Sequence, residues 1–519
     1  MSDVLLVVPP YYYKTKVLTS SVKEYAGVAY LAAVLRTAGH DVDILDADLA
    51  GYDPDETVTK ILEKDASLIG LTMLQVAANP AIHIIRKIRE ARPDCTIAVG
   101  GHFPTFAREE LLSVCPDVDF IVLGEGEGAF LEATEAVLGG ADWRNIPGIA
   151  YRDGDNVCVT AVRPLIEDLD ALPFQTRDTL PEVLRRGGPA SLIGSRGCYG
   201  NCSFCSVNAF YRSQPGPNWR GRSPENIGEE LEWLYRRMGA DIIVFNDDNF
   251  IGPGKKGKER AYEIGEEILR RGLDLKFAIP AAVNDVDKEL FGHLKRAGLR
   301  SVFLGVESMN QKDLKLYNKH TTVEQNEEAM RTLEELGVFY QIGFILLNPH
   351  SSLEDAKHNL SVIRSKILKN DYCGTQVFTG DLRILAGTAL ERLFKDEGFV
   401  HKERFHYTYT IPDQAVEQLR EIIDQVILKK TFPVIVDCKE EFMAATWQRL
   451  IRTDICDLQL SSALWVVDRL ENGGMGYEQM KQLIRSIEKG MSDIVKKHER
   501  MKAGESMEAA CAPLRSAGM

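Results

Sequence analysis

Short apolar runs recur along the first 400 positions, each closed by a turn signal and followed by a stretch of helical spacing. Residues 4–8, 41–45, 68–71, 96–99 and 120–123 read as strands, and 27–38, 57–64, 80–92 and 109–113 as helices between them. Strands alternating with helices over residues 1–140 predict an α/β fold with a doubly wound parallel sheet. Ligands bind such sheets beyond the C-terminal strand ends. Those ends carry Pro9-Pro10, residues 72–79, Gly100-Gly101-His102 with Thr105, and Gly124-Glu125-Gly126-Glu127. Residues 149–159 predict a hairpin turning at Asp153-Gly154-Asp155, within a connector over 141–185.

The rhythm resumes after residue 186. Strands are predicted at 242–245, 276–279, 301–304, 340–346 and 376–385, with helices at 224–237, 257–271, 287–297, 323–336 and 353–367. With the apolar run at 191–193 this makes six β/α units, a partial, open barrel over 186–400 with its chemistry at the C-terminal mouth. Beyond 400 the alternation stops. Residues 401–409 are aromatic and basic, and a run this short reads as packing and surface rather than a nucleic-acid site. Helical stretches at 413–430, 440–452, 461–471 and 477–498 predict a helical domain over 401–519, ending in a disordered tail after about 500.

The candidate chemistry lies in Cys198-Tyr-Gly-Asn-Cys202-Ser-Phe-Cys205, three cysteines spaced C-x3-C-x2-C in a glycine-rich loop after a strand. The chain holds ten cysteines in 519 residues, so three within eight is an outlier. A structural zinc site wants four closed ligands, usually as two pairs. A cubane iron–sulfur cluster normally takes four thiolates, so three leave one iron open to a small molecule. Two strand ends in the barrel are acidic: Asp247 and Asp248 with Asn249, and Glu307 with Ser308. A carboxylate at a strand mouth can hold an ammonium group or ribose hydroxyls, or cap the next helix.

This cysteine pattern, with Phe204 just before the last cysteine, resembles the radical S-adenosylmethionine (SAM) enzymes. The resemblance implies a [4Fe–4S] cluster on Cys198, Cys202 and Cys205 whose open iron chelates SAM, and SAM contacts from Phe204, Asp247, Asn249, Glu307 and Ser308. The first module, through its paired prolines and its Gly100-Gly101-His102 and Gly124-Glu125-Gly126-Glu127 strand ends, resembles the cobalamin-binding domain that precedes the radical SAM domain in one large subgroup. That implies cobalamin contacts from Pro9, Pro10, Thr72, Leu74, Gln75, Gly100, Gly101, His102, Thr105, Gly124, Glu125, Gly126 and Glu127. There is no D-x-H-x-x-G, so no histidine is expected beneath cobalt, and a residue of 72–75 is expected at that lower face. His102 reads equally as a loop histidine satisfied by backbone, and Glu125 and Glu127 as helix caps.

The expected activity is methyl transfer from SAM via methylcobalamin to an unactivated carbon, using a 5′-deoxyadenosyl radical. A cyclase or rearrangement enzyme with the same cofactors is the alternative, followed by a radical SAM enzyme whose first domain binds no cobalamin. A methylthiotransferase is disfavoured, because only Cys95 and Cys115 lie in the first domain. The resemblance also implies a small-molecule or peptide substrate and an external one-electron reductant of flavodoxin or ferredoxin type. Net charge of −14 and a pI near 5.4 argue against a nucleic-acid partner. No apolar run approaches a membrane span and no signal peptide is visible, so a cytoplasmic location is expected.

Overall fold

The computed structural model describes residues 2–11, 22–369, 373–374, 382–431 and 446–502. Strand β1 (Val4–Val8) is buried along its whole length, and its side chains divide by parity. Leu5 and Val7 join one apolar cluster, while Val4, Leu6 and Val8 join another on the opposite face. A strand covered on both faces needs a continuous apolar run, which is what residues 4–8 supply. Around it stand β2 (Val42–Asp46), β3 (Leu68–Thr72), β4 (Thr96–Gly100) and β5 (Phe120–Val122), parallel, in the order β2-β1-β3-β4-β5. Helices Ala26–Thr37 and Glu127–Gly139 cover one face, and Ala78–Ala91 and His102–Val114 the other. The doubly wound sheet is thus present.

Two details differ from the sequence expectation. The hairpin β6 (Ile149–Asp153) and β7 (Asn156–Val159) pairs antiparallel with β5, so it is the far edge of the first sheet rather than part of a connector. Ile149 and Ala150 complete the clusters on opposite faces, a long-range requirement that no local pattern carries. The helix expected at 109–113 begins at His102, which places that residue on a helix N-terminus rather than in a loop.

The second sheet is parallel throughout, in the order β15-β14-β13-β12-β11-β8. Its strands are β8 (Ala190–Leu192), β11 (Ile242–Phe245), β12 (Lys276–Ala282), β13 (Leu299–Glu307), β14 (Phe339–Phe344) and β15 (Cys373–Gly374). This is the partial barrel. β12 runs on through Pro280, where the sequence reading stopped it, and the last strand begins before the expected 376–385, of which 376–381 lie outside the described residues. Between β8 and β11 an antiparallel pair, β9 (Ser195–Gly197) and β10 (Trp219–Gly221), brackets the cysteine loop and was not anticipated.

After the barrel the chain returns to the first domain. Gln75 donates to the Ile384 carbonyl (3.1 Å) and accepts from the Ala386 N–H (3.0 Å). The hairpin β16 (Val400–Glu403) and β17 (His406–Tyr409) carries Phe405 at its turn, and this ring is buried in the first domain's core, edge-on to Phe103 at 5.3 Å. The aromatic stretch is therefore a packing element. Helices Gln414–Ile422, Thr446–Glu471 and Tyr477–Lys502 follow, and one helix spans the break expected between 452 and 461. They share one apolar core with the barrel, flanking Leu353–Lys369 through Arg364–Asp457 (2.7 Å) and Lys357–Glu471 (2.5 Å). Residues 440–445 and the expected tail from 503 lie outside the described residues. Among the described residues no helix is long and apolar enough to cross a membrane.

Phe405→Ala empties a filled core position at the contact between the first domain and the segment after the barrel. The expected cost is about 3–5 kcal/mol, read as a lowered melting temperature, with protection from hydrogen exchange lost first in His102–Val114.

Candidate active site

The cysteine loop leaves β9 at Gly197, whose φ is +82° and whose N–H donates to Asp248 Oδ2 at 3.0 Å. A Cβ here would stand 1.8 Å from the Asn218 carbonyl oxygen, so only glycine lets the strand turn into Cys198. Cys198, Cys202 and Cys205 are free and half-buried. The loop is fastened from two other segments. Ser203 donates its N–H to the Tyr317 carbonyl (2.9 Å) and its hydroxyl to the Leu316 carbonyl (2.7 Å), and its own carbonyl accepts from Leu390 N–H (2.9 Å). Asn318 donates to the Asn201 carbonyl at 2.7 Å.

Burial pushes Cys198 up to about 11, Cys205 up to about 12, and Cys202 up as well. The thiols therefore need a bound cation to become thiolates, as metal ligation requires. Among the described residues no three His, Cys, Asp or Glu side chains converge on a position for one ion. Three neighbouring thiols suit a cubane, in which each thiolate holds a different iron.

The acidic strand ends divide into two kinds. Both oxygens of Asp247 are used internally, by Gly194 N–H (2.7 Å) and the Ser195 hydroxyl (2.6 Å). Asn249 donates to Asp285 (2.8 Å) and accepts from Gly252 N–H (2.8 Å). Ser308 is fully buried and donates to Asp313 at 3.0 Å. These three brace the scaffold. Glu307 is different: it holds φ +68° at a register shift of β13, a strained position for a residue with a long side chain. Its carboxylate pairs with Lys319 at 3.1 Å, and that ammonium lies within electrostatic range of Cys202 and Cys198. A Cβ on Gly305 would meet Lys319 and Glu307, and one on Gly343 would meet Glu307 and Phe303, so the two glycines make room for these side chains to pack at this corner of the barrel. Phe303, on the same strand, is 51% exposed. Phe204 meets Tyr317 edge-on at 5.6 Å.

A cavity of about 310 Å³ lies between the two sheets. Thr72, Leu74, Gly100, Gly101 and His102 line one wall, and the turn Gly124 to Glu127 another. Pro9, Pro10, Gln75 and Thr105 are not on the wall. The prolines end β1, Gln75 clasps 384–386, and the Thr105 hydroxyl holds Gly124 N–H at 3.1 Å. Leu74 is 43% exposed and offers no lone pair. His102 stacks on Phe210 at 4.0 Å, and burial pushes it down to about 4, so it stays neutral.

The opposite wall belongs to the cysteine loop's own flanks. Arg196, on β9, and Phe210 and Tyr211, on the helix Ser206–Arg212 that Cys205 caps, all line the cavity, as does Asp248. Burial pushes Asp248 up to about 6. Arg196 bonds Glu127 (2.5 Å) and Glu125 (3.2 Å), and Arg220 on β10 bonds Glu125 at 2.8 Å. All four side chains are buried. Burial raises Glu127, but the Arg196 guanidinium outweighs it and leaves the carboxyl below its usual range. Glu125 and Glu127 thus pair with arginines across the domain contact instead of capping their helix. The sequence reading missed Arg196, Arg220, Tyr211 and Lys319.

Residues 22–134 match the B12 binding domain family and residues 192–362 the Radical SAM superfamily. An uncharacterized methyltransferase of Pyrococcus horikoshii is 31% identical over 72% of this chain and 80% of its own length. The chain belongs to the cobalamin-dependent radical SAM enzymes. Cobalamin, SAM and a [4Fe–4S] cluster are the cofactors that its two domains imply. The anaerobic magnesium-protoporphyrin IX monomethyl ester cyclase of Cereibacter sphaeroides is 30% identical over 62% of this chain, which spans 53% of that enzyme. The cobalamin-dependent SAM radical enzyme OxsB, with aqua-cobalamin bound, has the same fold: TM-score 0.78, 19% identity, 99% of this chain and 84% of that one.

Arg196→Ala leaves Glu127 and Glu125 buried with fewer partners, and the expected destabilisation is about 3–5 kcal/mol by thermal unfolding. His102 titrates below its unfolded value of 6.5, so the unfolded chain takes up the proton first. The contribution of His102 to stability of the cofactor-free protein is therefore full above pH 6.5 and is lost as pH drops toward 4, and His102→Phe, which keeps the ring stack, removes that part of the pH dependence in melts of the variant against the native chain.

Proposed function

We propose that this enzyme methylates an unactivated carbon of its substrate, drawing the methyl group from SAM by way of cobalamin. The observation that carries the reading is that both flanks of the cysteine loop, Arg196 before it and Phe210 and Tyr211 after it, form a wall of the cavity in the B12 binding domain. When bound, the cluster with SAM supplies a radical able to take hydrogen from such a carbon, and cobalamin supplies the methyl group.

The chain's own residues have distinct tasks. Cys198, Cys202 and Cys205 hold the cluster. Glu307 and Lys319, at the mouth of β13, orient SAM as a fixed pair of opposite charges, and Phe204 stands by its adenine. Thr72, Leu74, Gly100, Gly101, Gly124 and Gly126 would line the space that holds the corrin, and Leu74 brings an apolar side chain with no metal-ligating atom to it. The neutral His102 lines the same cavity, stacked on Phe210. Phe303, half-exposed on the same strand as Glu307, offers an apolar contact to the substrate. A cyclase is the second reading, favoured by the likeness to the monomethyl ester cyclase.

The test is anaerobic reconstitution with iron, sulfide and hydroxocobalamin, then desalting. Cobalamin retention near one per chain, about a single filled site, is expected. Turnover should yield S-adenosylhomocysteine together with 5′-deoxyadenosine. 5′-Deoxyadenosine without coupled S-adenosylhomocysteine would favour the cyclase. Cys202→Ala should lose the cluster's visible absorbance and 5′-deoxyadenosine formation while retaining cobalamin.

A further inference from the structure

The cluster needs an electron from outside, and the structure bears on where that electron enters. Transfer slows steeply with distance, so the donor must reach the side of the cysteine loop that faces solvent. Asn201 is exposed on that side. Three short elements converge there, each touching the backbone of residues 200–203. The helix Ser206–Arg212 sends Arg212 to the Gly200 carbonyl at 3.5 Å. The helix Gln311–Leu316 ends at the Leu316 and Tyr317 carbonyls that hold Ser203. The helix Ala389–Asp396 starts with Leu390 N–H on the Ser203 carbonyl.

Each element turns a cation outward, and on two of them a carboxylate, Asp313 or Glu391, turns to an internal partner. Arg212, Lys315 and Arg392 are exposed. Asp313 is buried, accepting from Ser308 and Asn348, and Glu391 accepts from Gly387 N–H at 2.8 Å. Asp396 is exposed one turn after Arg392, next to the exposed Lys395, and Glu397 pairs with His350. Leu393, 37% exposed, sits beside Arg392 with the exposed Ala389 one turn before it. In a chain with 76 acidic and 62 basic residues, a face with this sign is a local reversal.

We propose that this face, with Arg212, Lys315 and Arg392 around Leu393, is the docking surface for a small acidic flavoprotein of flavodoxin type. The proposal rests on the cluster reading above and names the partner of that site. Opposite charge steers encounter and sets the on-rate, and electron-transfer contacts are small and transient. An apolar centre within a basic rim suits the exposed dimethylbenzene edge of a flavin set in an acidic surface. One electron leaves the reduced flavin and one enters the oxidised cluster; no bond forms or breaks in the transfer.

The test mixes reconstituted enzyme with reduced flavodoxin in a stopped-flow instrument and follows bleaching of the cluster absorbance, with dithionite as the small-molecule control. The expected result is a rate that falls with added salt for the native chain. In a variant carrying Arg212→Glu, Lys315→Glu and Arg392→Glu it drops by about tenfold or more at low salt and loses its salt dependence. Dithionite reduction stays unchanged. A second variant, Lys315→Glu with Arg392→Glu, spares the Gly200 contact and should show a smaller loss in the same direction. Unchanged flavodoxin rates in both variants would overturn the proposal, as would a charge-sensitive response to reduced ferredoxin with none to flavodoxin. No cluster reducible by dithionite in the native chain would instead overturn the reading on which the surface depends.

Discussion

Four buried charges hold the two halves of this enzyme in register. Glu125 and Glu127 end the first sheet, Arg196 and Arg220 stand on the two short strands that bracket the cysteine loop, and all four are out of water. Such a cluster is poor evidence of net stability, because removing charges from water offsets most of their attraction. Its effect is on position. β9 is only three residues long, and Arg196 lies at its centre, two residues before Cys198. Pinning that guanidinium to Glu127 therefore sets where the first thiol stands relative to the cavity. A second chain of charges, Glu24 to Arg177 to Glu230 to Arg222, runs behind it and ties the start of the first domain to the barrel.

What could be read from the sequence follows from the range of the interactions involved. The strands and helices of both sheets, such as β11 and the helix Val323–Leu336, were legible because each writes its burial as a local period. The cysteine triad was legible as a pattern because its three residues are neighbours in the chain. Contacts between distant segments left no period. Nothing near residue 150 announces that its hairpin extends a sheet built from residues 4–122, and nothing near Phe405 announces a pocket beside Phe103. The acidic strand ends show the same limit in reverse. Asp247, Asn249, Glu307 and Ser308 all stand at strand ends, yet Asp247, Asn249 and Ser308 bond groups that brace the scaffold, while Glu307 pairs with Lys319 beside the cysteines.

The relatives divide between methyl transfer and ring closure, and the geometry explains how one scaffold serves both. The cavity and the cysteine loop stand apart from the corner around Phe303, Gly305 and Gly343, where Lys319, Glu307 and the half-exposed Phe303 are the side chains that pack against the glycines. Changing Phe303 would alter what approaches the mouth of β13 without disturbing the charged contact between the domains. Selectivity can in this way drift while the cofactor machinery stays in place.

The return of the chain to its first domain after the barrel has a consequence for how such enzymes could be recombined. Gln75, Phe103 and Phe106 meet 384–387 and Phe405, so the first domain is completed by residues lying several hundred positions downstream. A crossover placed in the connector near residue 145 would separate these partners. The inherited unit is consequently discontinuous: a chimaera that exchanges the leading module must carry the downstream strap with it, or supply matching side chains for both.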